Sequence, residues 1–291
     1  MEFKLSTLNF KLFFMLIRPI TTEDEYRAVE LLQREIWGSE EIEIIPHDLM
    51  MTVHKNGGVM LGAFDPQTEG EPMVGFVFGF TGIQPDGKIK HCSHIAGVTA
   101  QYRDRNVGYM LKLAQRDFVM TRGFDLITWT FDPLESRNAR FNFHKLGVTC
   151  NSYFRNLYGE MRDQLNAGLP SDRFQVDWLI RSDRVENALA NRNKNITIHD
   201  MVVINPAQSE GLLKPCDHPL PAAGEKLLIQ IPDNFQHIKA ADRGLALEWR
   251  MHTRSLFEEA FNKGYTATDL VIDGGRSFYL LEAGSVPVTD R

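Results

Sequence analysis

The sequence predicts an α/β fold, a mixed sheet with helices on both faces, followed by a C-terminal α/β extension. Three observations predict it. Short β-rich apolar runs alternate with amphipathic helical segments from Leu16 to Ile180. A basic turn, Tyr102 to Gly108, lies between the end of one such run and the start of a helix. A Pro- and Asn-rich stretch then separates this block from a second helix-and-hairpin block. At 291 residues, with 43% apolar and 24% charged, the chain is long enough for two units and apolar enough for a core.

Residues 1–15 read as a leader. They mix apolar residues with Lys4, Asn9 and Lys11 and lack a small-residue cleavage site, which disfavours a signal peptide and makes Met15 a candidate start. Leu16 to Ile20 is a strand. Thr21 and Thr22 offer N-cap hydroxyls before Glu23, Asp24 and Glu25, and Tyr26, Val29, Leu32 and Ile36 give the following helix an apolar face as far as Gly38. His47 to Val53 is a short helix. Val59 to Phe64 and Met73 to Thr81 are strands, the second carrying Gly75 and Gly79 as marks of a bulge or close packing. A Pro85-Asp86-Gly87 turn precedes the strand Lys90 to Val98. Leu126 to Phe131 is a compact strand, a second helix starts near Asn138, and Phe174 to Ile180 is a strand. These elements form a domain over 16–181. Residues 182–224 read as a linker with one short strand, Ile196 to Ile204. Over 225–291, Leu227 to Ile231 is a strand and Phe235 to Lys263 is largely helical. The strands Thr266 to Ile272 and Ser277 to Leu281 are joined by Asp273-Gly274-Gly275, a strong hairpin signal. This last part is a partial repeat of the first or completes its sheet.

The segment IAGVTAQYRDRNVG, Ile95 to Gly108, carries the chemistry. A strand, a tight basic turn and a helix N-terminus in that order make a cradle for phosphate, because the first N–H groups of the helix are free and its dipole favours an anion. Arg103 and Arg105 add charge that does not titrate near neutral pH. Gly108 allows close backbone approach and Asn106 tolerates a left-handed backbone. The competing reading is a solvated turn.

The residues Tyr102 to Gly108 resemble the acyl-CoA pyrophosphate loop of the GNAT N-acetyltransferase superfamily. Arg103 and Gly108 fit that pattern, and Asn106 stands where its first Gly is usual. Val98-Thr99-Ala100 before the loop, the strand Leu126 to Phe131 after the helix, and Lys145-Leu146-Gly147-Val148 agree in order and spacing. Segments such as DLITWTFDPLESRNA are similar to a group of uncharacterised bacterial predicted acetyltransferases. The resemblance implies a GNAT-like acyl-CoA N-acyltransferase fold with acetyl-CoA, or another acyl-CoA, as cofactor. It implies a bulged strand splayed from its neighbour, the Val98 amide facing the acyl carbonyl, and the pyrophosphate held by Arg103, Asp104, Arg105, Asn106, Val107 and Gly108. Tyr109 and Met110 would add helix-start amides, and Asn138 would touch pantetheine unless it serves as an N-cap. The family often places a Tyr acid four residues before the helix-ending Gly. Here that position is Phe143, leaving His144, Tyr153 or Tyr158 to protonate the thiolate, or no dedicated acid.

For the base, His94 on the strand before the loop competes with Glu135 and Asp132 after the strand Leu126 to Phe131, where helix capping is the alternative for both acids. Trp129 and Phe131 read as core, and Asp172 and Arg173 as a turn ion pair. The nine histidines show no metal-ligand spacing, so no metal is expected. A net charge of −6 disfavours nucleic acid as a partner. No run is long enough for a membrane span, and three dispersed cysteines, Cys92, Cys150 and Cys216, suit a reducing, cytoplasmic setting. The favoured reading is an acyl-CoA-dependent N-acyltransferase acting on a small-molecule amine. The alternatives are a non-catalytic acyl-CoA sensor or scaffold, and an interaction protein whose C-terminal half pairs subunits as a homodimer.

Overall fold

Thr22 starts the first helix as the sequence expects. Its hydroxyl accepts from the Glu25 amide while the Glu25 carboxylate accepts from the Thr21 and Thr22 amides, a capping box that satisfies otherwise orphaned donors. In the computed structural model, which describes residues 15–38, 43–163, 165–192, 196, 198, 201–208, 211–216 and 226–284, this helix α1 spans Glu23–Trp37 and ends on left-handed Gly38. It follows strand β1, Leu16–Pro19, and precedes α2, His47–Lys55. Strands β2 (Val59–Phe64), β3 (Met73–Ile83) and β4 (Ile89–Val98) come next, then α3 (Val107–Met120) and β5 (Leu126–Phe131). Helix α4, Ser136–Arg140, runs directly into a π-helical turn, Phe141–Lys145, and strands β6 (Tyr153–Phe154) and β7 (Arg173–Leu179) complete the block. The expected leader lies outside the described residues apart from Met15, which is buried.

The first sheet has seven strands in the order β1-β2-β3-β4-β5-β7-β6. Every pair is antiparallel except β4 with β5. The two faces bury separate cores, as the alternation of side chains in a strand requires. Tyr26, Val29, Leu32 and Met50 from α1 and α2 pack on Met60, Phe76 and Phe78. Val107, Leu111 and Val119 of α3 pack on Leu61, Val77 and Ile127 of the other face.

Residues 182–224 begin with a helix where a plain linker was expected. Helix α5, Asp183–Leu189, is capped by Ser182, whose hydroxyl accepts from the Val185 amide, and it buries Val185 and Ala188. Its seven residues, with Val185, Ala188 and Leu189 as the apolar ones, are too few for periodicity to signal it. Of the strand expected over 196–204, Val202–Val203 is β8 and much of the rest lies outside the described residues. The long helical stretch divides into α6 (Phe235–Ala241) and α7 (Arg243–Asn262). Extended Asp242 interrupts it and caps α7 by accepting from the Leu245 amide.

The C-terminal strands do not complete the first sheet. With β9 (Lys226–Ile231), β10 (Tyr265–Asp273) and β11 (Arg276–Ala283), they form a second sheet in the order β10-β11-β9-β8. The hairpin turn is as expected: Asp273 faces Arg276, and Gly274 and Gly275 both take positive φ, at 54° and 77°. The two sheets meet where Cys150 and Ala267 exchange backbone hydrogen bonds of 3.0 and 2.8 Å. One continuous apolar core runs beneath both, with Phe174 of β7 against Phe257 of α7 and Tyr279 of β11.

Candidate functional site

Parallel pairing of β4 with β5 lasts two residues, His91 opposite Ile127 and Cys92 opposite Thr128. Beyond that point β4 continues to Val98 bonded to β3, and β5 continues to Phe131 bonded to β7. The divergence begins at a bulge. Ser93 faces Gly79 and Ile95 faces Phe78, leaving His94 as the extra residue. Gly79 is needed there, since a Cβ would collide with the His91 ring and the Cys92 carbonyl. A cavity of about 620 Å³ follows the gap between the strands. One end reaches Val98, Gly108 and Asn138, and the end where the strands converge is formed by Ser93, Lys112 and Trp129. The α1 side contributes Trp37, lying over Gly97, and exposed Glu43, Tyr158 and Glu160 form a rim. Buried Asp163, its carboxylate taken up by the Leu165 and Asn166 amides and Asn166 Nδ2, adds to the wall.

The basic turn is built by backbone strain and by side chains beneath it. Ala100–Tyr102 form one 3₁₀ turn, and Asp104 and Asn106 both take left-handed φ, 66° and 59°, which Asp and Asn tolerate. Tyr102 is buried and donates to Asp65 Oδ2 at 2.7 Å, anchoring the turn, while the Arg105 guanidinium lies 4.9 Å from the Tyr102 ring. Asn106 N-caps α3 without a side-chain bond, so the helix-start amides of Val107, Gly108 and Tyr109 have no intrahelical partner. Met110 differs from the expectation: its N–H donates to the Asn106 carbonyl at 3.0 Å and is already part of the helix. Arg103 is exposed with Nη2 3.5 Å from the Ile36 carbonyl. Two cations unmarked by sequence adjacency join the turn from α4 and the π-helical turn after it: Arg137 pairs with Asp104, and Lys145 donates to Asn106 Oδ1 at 3.3 Å.

His94 borders the cavity with its ring against Phe78 and Phe80, at centroid separations of 6.1 and 5.8 Å. The residue is exposed at the cavity edge, and desolvation by its neighbours lowers its pKa. Asn138 also borders the cavity, and Glu135 rather than Asn138 occupies the N-cap position of α4. Glu135 and Tyr153 are not among the residues lining the cavity. The Glu135 carboxyl, its pKa raised by burial, accepts from Gln236 Nε2 of α6 at 2.5 Å. Tyr153 donates to Asp172 Oδ2 at 2.7 Å and stacks on Phe257, and burial raises its pKa. Asp132 is held by Arg250, and His144 faces Asp269 of β10.

Phe143 is buried against Phe131 and Tyr279 and does not reach the cavity. Counting four residues back from Gly147 assumed an α-helix. The π-helical turn over 141–145 adds a residue per turn and rotates the register, so Phe141 and Asn142 line the cavity instead. The phenol that does line it is Tyr158, whose hydroxyl lies 2.7 Å from Thr130 Oγ1. Sequence reasoning also missed Lys112. The helical period put it on the side of α3 that meets the sheet, and a Lys at a buried helix position was the available signal.

No helix among the described residues is long and apolar enough to cross a membrane. No family model and no curated protein matches the chain. Among solved structures, the chain is similar to the NatC complex bound to Gag peptide and CoA, at 14% identity and a TM-score of 0.47 over 57% of this chain and 98% of the other. It is similar to Arabidopsis thaliana NAA60 in complex with acetyl-CoA, at 15% identity and a TM-score of 0.47 over 58% of this chain and 100% of that one. The acetyltransferase of the GNAT family from Streptococcus pneumoniae is a third such likeness, at 13% identity and a TM-score of 0.43 over 57% of this chain and 100% of that one.

Proposed function

We propose that the chain is an acyl-CoA-dependent N-acyltransferase that passes an acyl group, acetyl or another, to the amine of a small molecule by direct attack. The observation that carries this reading is the divergence of β4 and β5 at the His94 bulge, which opens a cavity leading to the amide-rich start of α3. An elongated cofactor with a phosphate at one end and a reactive group at the other fits that shape. The thioester, when bound, supplies the activated acyl group. The chain does the rest.

Arg103, Arg105 and the first amides of α3 would hold the pyrophosphate, and Arg137 would exchange its exposed partner Asp104 for a phosphate because such pairs are weak. Amides on the open edge of β4 between His94 and Val98 have no ladder partner on β5 and are placed to receive an acyl carbonyl. Exposed Glu43 and Glu160 draw an ammonium group to the rim. Neutral His94 accepts its proton, which frees the lone pair for attack. The Tyr158 hydroxyl is the cavity phenol available to the leaving thiolate.

The burial of Phe143 favours a second reading, an acyl-CoA-binding sensor without an acid. One experiment separates them. Purified protein is incubated with acyl-CoA and an amine panel while free thiol is followed and CoA binding is read by thermal shift. Amine-dependent thiol release supports the transferase. Binding without release supports the sensor, and no shift with millimolar CoA rejects both.

A further inference from the structure

Lys112 is an anomaly within the cavity. It lies on α3, is 5% exposed, and forms part of the wall where β4 and β5 converge. Its Nζ donates to Ser93 Oγ and Gln115 Oε1, both at 2.9 Å. Those acceptors are neutral, and they are themselves engaged: Ser93 donates to Gln115 Oε1 at 3.1 Å, and the Gln115 amide meets His91 Nε2 at 3.0 Å. The remaining surroundings are two indoles, Trp129 at 3.8 Å and Trp178 at 5.6 Å from Nζ. Among the described residues no carboxylate lies within ion-pair distance of Lys112, whereas each of the buried arginines has one: Asp132 for Arg250 and Arg173, and Glu186 for Arg116 of α3.

Burial without a counter-ion pushes the Lys112 pKa down to about 7, so near neutral pH its ammonium form is populated only in part, and indole faces offset only part of the cost of that form. A carboxylate arriving in the cavity would complete the set of partners, as a charge-assisted bond to Lys112 with the Ser93 hydroxyl beside it. Its origin follows from position. Lys112 sits opposite the phosphate end of the cavity, past His94, where the far end of an acyl chain lies if the thioester is seated in the strand gap. The acceptor amine is drawn instead to the Glu43 and Glu160 rim. Resting on the acyl-CoA reading above, we infer that the acyl donor carries a terminal carboxylate, a short dicarboxylic acid joined to CoA through one of its carboxyl groups, with Lys112 as the residue that selects it.

The test compares binding of CoA, butyryl-CoA and succinyl-CoA to the full chain by calorimetry, with butyryl-CoA matching succinyl-CoA in carbon number but ending in a methyl group. Succinyl-CoA is expected to bind at least tenfold more tightly than butyryl-CoA. In Lys112→Met this ratio should fall to one or invert, and in Lys112→Arg it should largely persist, while CoA binds all three proteins alike. A wild-type ratio of one or below, or a ratio unchanged in Lys112→Met, overturns the inference while leaving the acyl-CoA reading intact. Failure of CoA itself to bind overturns both. Should Lys112→Met not fold, the wild-type ratio and Lys112→Arg decide.

Discussion

The Arg250 guanidinium grips the Asp132 carboxylate with both ends, Nη1 to Oδ1 at 2.7 Å and Nη2 to Oδ2 at 2.5 Å, and so bolts α7 of the C-terminal unit to the end of β5. Arg173 stands 3.8 Å from the same carboxylate, and Arg254 makes a matching bidentate pair with fully buried Asp172. The strand edge that carries the cavity is therefore held in place by the second sheet's helix. Burial alone would raise the Asp132 pKa, and the Arg250 charge and hydrogen bonds, the Arg173 charge and the Leu134 amide together outweigh it and hold the group below the usual carboxylate range. Arg250→Met should leave this carboxylate buried with too few partners and destabilise the chain by about 3–5 kcal/mol, read from the urea midpoint. A loss under about 1 kcal/mol would show the pair to be dispensable.

His91 sets a pH dependence. Burial, with smaller contributions from Lys112 and Arg122, lowers its pKa to about 3, and its Nε2 accepts from the Gln115 amide. Below pH 6.5 the unfolded chain binds a proton at this residue that the native chain refuses until about pH 3. Stability from this group is thus complete above pH 6.5 and declines as pH falls from there toward 3. Urea midpoints measured across that window should fall less steeply for His91→Gln than for the native chain. Parallel slopes would mean that His91 binds its proton equally in the folded and unfolded chain.

His94→Ala should reduce turnover by about 10²–10⁴-fold and leave CoA affinity nearly unchanged. Glu135→Gln should do little to the rate, because Glu135 is bonded to Gln236 and does not border the cavity. The reverse outcome would move the base to Glu135. Since the His94 pKa lies below its usual value, the acid limb of kcat/KM should fall below pH 6.5 and vanish in His94→Ala.

Replacing Arg103 and Arg105 together with Ala should weaken CoA binding by about tenfold or more, one lost charge-assisted bond being enough for that. Arg137→Ala and Lys145→Ala should each weaken it further, measured by calorimetry at fixed ionic strength, because both side chains contact the turn. Unchanged affinity in all of them would place the cofactor elsewhere.

Phe143→Tyr should not raise the rate. The new hydroxyl would enter a core formed by Phe131 and Tyr279, costing about 1–3 kcal/mol if it finds no partner. A gain of about tenfold in turnover would show instead that the ring reaches the thiolate and that the native site lacks an acid.

Local sequence was enough to fix the elements and the basic turn. Thr22 with Glu25, Gly38 and Gly274-Gly275 act through their own backbones or those of near neighbours, and the order of strand, Arg103 to Gly108 and helix needs no distant contact to be read. Tertiary structure decided everything that depends on which element lies beside which. It placed the C-terminal hairpin in a second sheet and set Arg137 and Lys145 beside Asp104 and Asn106. It removed Glu135, Asp132 and Tyr153 from consideration as cavity groups by pairing them with Gln236, Arg250 and Asp172. The π-helical turn hid Phe143 and exposed Asn142, a change in period that residue counting cannot anticipate. Lys112 shows the same division: its helical position was legible, but that it lacks a carboxylate is a statement about side chains from β4, β5 and β7, which only the folded chain brings within reach of one another.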